Sequence, residues 1–138
     1  MPLFNEVRVG TEIPPFSIKM DQPMYKKYNK SVTEINPLHL SEKFARKLGY
    51  KKIVVAGVFT YSFFLRPILN WVKDRGYIKQ VKIQFKEPIY IEDEIIHHAK
   101  VTEKYRKDGI NYIEFEVWVE NQEHKKVTTG SITLIFNL

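Results

Sequence analysis

A carboxylate and an imidazole, Glu34 and His39, stand on either side of an Asn36-Pro37 turn signal. Further along, Gly57 opens the longest apolar segment of the chain. If that segment is a helix, its first N–H groups have no partner within the helix and can hold developing negative charge. A carboxylate, an imidazole and a helix start are together suited to moving a proton and polarising a thioester carbonyl.

The residues before and after the Asn36-Pro37 turn carry the signals of two short helices. Asp21 is the expected N-cap of a helix over residues 24–32. Ser41 is the expected N-cap of a second helix, from Glu42 to about Leu48, which Gly49 ends.

The apolar segment that begins at Gly57 predicts a long central helix over about residues 57–74, buried on several sides because it is apolar on nearly every face. Pro67 lies in its middle, where it removes one backbone hydrogen bond. We therefore expect this helix to bend.

After Gly76 the apolar residues recur with a period of two, which predicts strands. The predicted strands, including one near the N-terminus, cover residues 16–20, 81–85, 95–104, 113–119 and 127–136. The Lys107-Asp108-Gly109 segment is typical of a hairpin turn. These elements predict an α+β fold, one domain over residues 1–138, in which a bent antiparallel sheet wraps the central helix.

Composition narrows the class of protein. Lysine and arginine number 22 against 16 acidic residues, a net charge of +6, and such a surplus favours polyanionic partners such as coenzyme A or an acidic carrier protein. The lysines are scattered, which does not favour nucleic acid. No cysteine is present, which excludes disulfides and thiolate metal sites. Without a signal-peptide pattern or an apolar run long enough for a membrane span, a cytoplasmic protein is expected.

Two adjacent histidines, His97 and His98, lie in the predicted strand over residues 95–104 and are candidates for metal binding. Neighbouring residues of a strand point to opposite faces, so these two cannot hold one metal ion together.

The run E-I-N-P-L-H at residues 34–39 resembles the D-x-N-P-x-H motif of the MaoC-like family of hot-dog-fold (R)-specific enoyl-CoA hydratases and 3-hydroxyacyl dehydratases. The resemblance continues in the S-E-K-F-A helix start at residues 41–45 and in A-G-V-F-T at 56–60. It extends through V-K-I-Q-F-K-E-P at residues 81–88 to Thr129-Gly130, and so covers nearly the whole chain.

The resemblance implies a single hot-dog domain and a lyase of fatty acid metabolism. Its reaction would be the reversible hydration and dehydration of 2-enoyl and (R)-3-hydroxyacyl thioesters of coenzyme A or acyl carrier protein. It also implies a dimer with the active site near the subunit interface, either a homodimer or a heterodimer with a second hot-dog subunit. No cofactor, metal, nucleic acid or membrane is implied.

The resemblance also assigns roles to individual residues. Glu34 and His39 would form the catalytic pair that holds water and transfers protons, and the Gly57 N–H would bind the thioester oxygen. Asn36 is expected to shape the turn. Ser62 is a candidate substrate contact, although a hydroxyl at that place in a helix more often bonds back to the preceding turn.

Two departures from the family pattern keep alternatives open. Glu34 stands where the family has aspartate, which adds one methylene, and Ala56 stands where the family has histidine before the helix glycine. Both departures suit a non-catalytic, acyl-binding subunit of a heterodimeric dehydratase. An acyl-CoA thioesterase is the third reading, because other hot-dog proteins pair an acidic residue with the same helix start.

Overall fold

Five antiparallel strands form a single sheet in the computed structural model, which describes residues 3–137. The strands are β1 (Glu12–Lys19), β2 (Gly76–Phe85), β3 (Glu94–Lys107), β4 (Ile110–Glu120) and β5 (Lys126–Phe136). Their order across the sheet is β1-β3-β4-β5-β2. The first strand and the strand that follows the helices are therefore the two edges, and the predicted α+β fold with an antiparallel sheet is confirmed.

The central strands bury every second residue, as their period of two predicts. In β3 the buried residues include Ile95, His97, Ala99 and Val101, all on one face of the sheet. The turn between β3 and β4 is at the predicted position, and Asp108 and Gly109 both have positive φ angles, of 52° and 77°. Two successive positive φ angles are what a two-residue hairpin turn of the favoured hand requires.

Strand β1 begins earlier than predicted, at Glu12 rather than at residue 16. Pro14 and Pro15 lie inside it, and the pairing of β1 with β3 shifts register between Ile13 and Phe16. Prolines lack the N–H that a central strand needs, so they are tolerated in this edge strand at the irregularity. The prediction placed both prolines before the strand, because a proline cannot donate a hydrogen bond to a neighbouring strand.

Four helices connect β1 to β2: α1 (Gln22–Val32), α2 (Glu42–Lys47), α3 (Gly57–Phe64) and α4 (Arg66–Val72). The two predicted N-caps are confirmed. Asp21 accepts a hydrogen bond from the Met24 N–H at 2.7 Å, and Ser41 accepts one from the Phe44 N–H at 3.2 Å. These caps satisfy N–H groups that a helix start otherwise leaves unpaired.

The long central helix is the α3–α4 pair, interrupted at Leu65. Pro67 stands at the start of α4, so the bend that its missing N–H predicted is confirmed. Phe64, Ile68 and Val72 are buried against the sheet. No helix between residues 3 and 137 is both long and apolar enough to cross a membrane.

The opposite side of this helical segment remains open. Val58 and Tyr61 are three residues apart in α3 and Leu69 lies in α4, and the three side chains are 72%, 36% and 44% exposed. The central helix is buried against the sheet and, through Phe59, against Tyr25 and Tyr28 of α1, in line with the prediction that it is buried on several sides. Its remaining side leaves an apolar stripe on the surface.

Candidate active site

His39 ends a short 3₁₀ turn, Pro37–His39, that Asn36 caps by accepting a hydrogen bond from the Leu38 N–H at 3.0 Å. The imidazole is half-buried, and its Nδ1 lies 2.7 Å from the carbonyl oxygen of Val54. A carbonyl can only accept, so Nδ1 carries the hydrogen. In the neutral ring, Nε2 then has a free lone pair and can take a proton.

Gly57 is the first residue of α3, as the sequence predicted. Its N–H makes no hydrogen bond to any residue in the range 3–137. The ring of Phe85 lies directly over it, so that a Cβ atom added to Gly57 would come within 3.1 Å of the ring. The absence of a side chain therefore lets this ring approach the helix start.

One cavity brings His39 and Gly57 together. It has a volume of about 200 Å³, and we call it the His39–Gly57 cavity. Its walls are formed by His39, Val54, Val55, Gly57, Thr60, Phe85, Glu87, Pro88 and Ile89. The residue with the imidazole and the first residue of a helix thus line one mainly apolar space, and an imidazole with a helix-start amide is a combination suited to polarising a thioester.

Glu34 lies beside this arrangement and does not line the His39–Gly57 cavity. Its Oε1 accepts hydrogen bonds from the N–H groups of Ile35 and Asn36, at 3.1 and 2.9 Å. Within the described residues, no hydrogen bond joins its side chain to that of His39. Burial raises the pKa of the Tyr25 hydroxyl, and the negative charge of Glu34 acts in the same direction.

Asn36 and Ser62 have structural partners. Asn36 is exposed and caps the turn before His39. The Ser62 hydroxyl donates to the carbonyl oxygen of Phe59 at 2.5 Å, one turn back along α3. Neither residue lines the His39–Gly57 cavity. A substrate contact by Ser62 stays a prediction.

A second cavity lies on another side of His39, with a volume of about 140 Å³, and we call it the His39–Tyr25 cavity. It is lined by Gln22, Tyr25, Lys26, Asn29, His39, Leu40, Ile53 and Ile91. The Oδ1 atom of Asn29 is buried without a hydrogen-bond partner. A buried amide oxygen without a partner is suited to holding a water molecule in such a space.

Sequence reasoning missed three residues at this site. Phe85 and Glu87 belong to the F-K-E-P run that carried part of the family resemblance, so that run was the available signal for them. Glu87 brings a carboxylate to the wall of the His39–Gly57 cavity and forms an ion pair with Lys125 at 3.4 Å. Nothing in the sequence indicated a role for Tyr25 at the site, because a tyrosine on the buried face of a helix is normally a core residue.

The fold agrees with the family that the chain matches. The MaoC like domain model matches residues 8–125, most of the chain. The chain therefore belongs to the MaoC-like domain family, and its fold is the hot-dog fold.

Several known proteins are similar to it. A mitochondrial 3-hydroxyacyl-(acyl-carrier-protein) dehydratase of Solanum lycopersicum is 36% identical over 69 residues, which are 50% of this chain and 41% of that protein. This chain thus spans well under two thirds of the length of that relative. The unliganded R-hydratase PhaJ1 of Pseudomonas aeruginosa has a TM-score of 0.83 at 18% identity, covering 97% of this chain and 84% of that one.

A chain of the ChsH1–ChsH2 complex of Mycobacterium tuberculosis has a TM-score of 0.79 at 20% identity, covering 94% of this chain and 98% of that one. At such identities these two structures establish the shared fold.

Proposed function

We propose that this protein catalyses the reversible hydration of 2-enoyl thioesters to (R)-3-hydroxyacyl thioesters, carried by coenzyme A or acyl carrier protein. The observation that carries the proposal is the shared cavity of His39 and Gly57. His39 has a ring nitrogen free to accept a proton, and the Gly57 N–H has no hydrogen-bond partner within residues 3–137. Membership of the MaoC-like family and the name of the tomato relative support the same substrate class.

In the hydration direction, water is held between Glu34 and His39. As the water oxygen forms a bond to C3, the pair takes one of its protons and the C2–C3 π electrons move toward the thioester carbonyl. The Gly57 N–H stabilises the negative charge that develops on the thioester oxygen. As the electrons return from the thioester oxygen, the pair delivers the proton that it took from water to C2, which completes the (R)-3-hydroxyacyl product and leaves the pair as it began.

The part of Glu34 in this scheme is our proposal and rests on its place just before the Asn36-capped turn that ends at His39. Its Oε1 is occupied by the turn N–H groups of Ile35 and Asn36. Its Oε2 accepts no hydrogen bond from the described residues, so it can accept one from water. In this arrangement the turn orients the carboxylate through Oε1, and Oε2 holds the water.

We propose a homodimer as the working form, with the central helix at the interface. The apolar stripe of Val58, Tyr61 and Leu69 lies on the helical segment that begins at Gly57, so a second copy seated there would also close the site. A Val58→Glu variant should become monomeric in sedimentation with an unchanged circular dichroism spectrum. Val9→Glu, at another exposed valine, is the matched control. A wild-type monomer at micromolar concentration contradicts the homodimer.

The hydration of crotonyl-CoA tests the function, because addition of water removes the conjugation of the thioester and lowers its absorbance. We expect turnover by the wild type and a loss of roughly 10²- to 10⁴-fold in His39→Ala. His98→Ala is the matched control. The His98 imidazole is also half-buried, but it stacks on Trp118 and lies on the face of β3 opposite to the buried His97. If wild type shows no turnover on short or medium chains and His39→Ala behaves identically, the proposal is wrong.

Glu34 is tested separately in the same assay. Glu34→Gln removes the charge at constant size and should reduce kcat, whereas Glu34→Asp restores the family residue and should retain turnover. An active Glu34→Gln variant would show that the carboxylate is not the partner of His39.

A second candidate is a non-catalytic, acyl-binding subunit that supports a catalytic hot-dog partner. The position of Glu34 outside the His39–Gly57 cavity favours it, as does the paired organisation named for the ChsH1–ChsH2 complex. Co-purification with a second hot-dog protein and turnover only in its presence would support this function. A dimer of this chain that is active alone excludes it.

The third candidate, a thioesterase, is favoured by the carboxylate of Glu87, the acidic residue among those described that line the His39–Gly57 cavity. Release of free thiol from acyl-CoA, followed with a thiol reagent in the same samples, separates cleavage from hydration. A Glu87→Gln variant should then lose thiol release and leave hydration intact.

A further inference from the structure

We infer that the hydroxyl of Tyr25 is a positioning group that holds His39 at a constant distance from the Gly57 amide. The inference rests on the proposed function for its catalytic meaning and on the hydrogen bonds for its geometry. The Tyr25 hydroxyl donates to the carbonyl oxygen of His39 at 3.0 Å and accepts from the N–H of Ala56 at 3.1 Å. One oxygen atom thus bridges the backbone carbonyl of His39 and the backbone N–H of Ala56, the residue just before Gly57.

The two bridged segments are distant in the chain, with the whole of α2 between them. They are also joined by two other hydrogen bonds. The Val54 N–H donates to the Leu38 carbonyl oxygen at 3.3 Å, and His39 Nδ1 donates to the Val54 carbonyl oxygen at 2.7 Å. Both of these bonds end at Val54, whereas the Tyr25 bridge reaches Ala56, the residue that precedes α3.

Tyr25 is itself held firmly. It is 2% exposed, and its ring lies edge-on to Phe59 with the ring centroids 5.3 Å apart. Asn29, four residues later on α1, accepts the Glu34 N–H at its backbone carbonyl oxygen, at 3.2 Å. Helix α1 therefore ties together the turn that carries Glu34, the peptide of His39 and the helix start at Gly57.

This arrangement has a chemical consequence. During hydration the proton transfer and the oxyanion are at opposite ends of one enoyl thioester, so the imidazole and the Gly57 amide must keep a constant separation. Misplacement by about 1 Å can lower a rate on the order of a hundredfold. Removing one hydroxyl releases the bridge at both ends and leaves the substrate-lining atoms of the His39–Gly57 cavity in place.

Tyr25→Phe is the test, with Tyr28→Phe as the matched control. Tyr28 is on the same helix and stacks on Tyr25, and its hydroxyl makes no hydrogen bond to the described residues. In crotonyl-CoA hydration we expect Tyr25→Phe to lower kcat roughly 10- to 100-fold with KM changed less than about twofold. Tyr28→Phe should keep both constants.

Amide hydrogen exchange measures the bridge independently of activity. In the wild type we expect the Ala56 amide to exchange much more slowly than the Val58 amide, which lies in the first turn of α3 and has no acceptor within the described residues. Tyr25→Phe should speed exchange at Ala56 and leave the central strands unchanged.

The outcomes separate the two hypotheses. If Ala56 exchanges as fast as Val58 in the wild type, or if Tyr25→Phe keeps the wild-type kcat, the positioning role is wrong. A fall in kcat that only follows a general loss of protection across the sheet also contradicts it. If wild type hydrates nothing while Ala56 is protected and released as expected, the hydratase function fails and the bridge stands.

Discussion

In both His39 and His97, the ring Nδ1 atom lies within hydrogen-bonding distance of a backbone carbonyl oxygen from another segment. The distances are 2.7 Å to Val54 and 3.2 Å to Phe16. The surroundings differ: His39 is half-buried and lines two cavities, whereas His97 is 1% exposed in the core against the Phe16 ring. Burial lowers the pKa of His97 to about 4, even though its hydrogen bond to Phe16 favours the charged form.

The comparison shows that a fixed imidazole becomes a candidate for proton transfer only when a cavity reaches it. A hydrogen bond at Nδ1 orients the ring in both places. In the core, where a charge cannot be hydrated, the same bond holds a neutral side chain as part of the packing. Beside the Gly57 amide, it leaves Nε2 able to exchange protons with a ligand.

The paired variants His39→Gln and His97→Gln test this comparison most directly. We expect His39→Gln to lose roughly 10²- to 10⁴-fold in kcat/KM for crotonyl-CoA hydration with a nearly unchanged melting temperature. His97→Gln should do the reverse, lowering the melting temperature and sparing kcat per folded molecule. Comparable activity losses in both variants would break the distinction.

Replacements at Gly57 sharpen the claim that the accessible imidazole needs the amide beside it. Gly57→Pro removes the N–H at the first residue of a helix, a position where proline is tolerated, and Gly57→Ala keeps it. Both add a Cβ near the Phe85 ring, so alanine is the steric control. We expect proline to lower kcat roughly 10²- to 10³-fold below alanine. Equal rates for the two variants would remove Gly57 N–H from the mechanism.

Acid stability tests the buried member of the comparison. The His97 pKa is about 4 when folded and about 6.5 when unfolded, so below pH 6.5 the unfolded chain takes up a proton that the folded chain does not. Keeping His97 neutral therefore contributes to the free energy of unfolding above pH 6.5, and this contribution is lost as the pH falls toward 4. The loss is about 3 kcal/mol between pH 7 and pH 4.

Urea denaturation of wild type and His97→Gln at the two pH values isolates this contribution, because the other titrating groups are common to both proteins. The wild type should lose about 3 kcal/mol more than the variant between pH 7 and pH 4. An equal loss in both would show that His97 is not buried as a neutral group.

Phe85 determines how open the cavity beside His39 is, and its removal should give the smallest effect. Phe85→Ala uncovers Gly57, so we expect the ratio of kcat/KM for octenoyl-CoA over crotonyl-CoA to rise roughly tenfold. Tyr77→Ala, at an exposed aromatic residue near the other end of β2, is the matched control. An unchanged ratio would mean that the ring does not limit the acyl chain.

Local signals in the sequence were sufficient for the parts of the chain that fold through short-range bonds. The caps at Asp21 and Ser41, the turn at Asn36 and the bend at Pro67 each depend on neighbours within a few residues. The hairpin at Asp108-Gly109 depends on φ angles that few residue types adopt. The start of β1 was misread because pairing with β3 holds prolines that a local rule would exclude.

By itself, then, the sequence determined the family, the elements and the positions of His39 and Gly57 within them, because periodicity, caps and a rigid turn are local properties. Only the tertiary structure decided which groups share a space. It placed Phe85 and Glu87 on the wall of the His39–Gly57 cavity. It also engaged Oε1 of Glu34 in hydrogen bonds from the N–H groups of Ile35 and Asn36. It also brought the Tyr25 hydroxyl between two peptides that α2 separates. Contacts of this kind join residues far apart in the chain, and no local pattern records them.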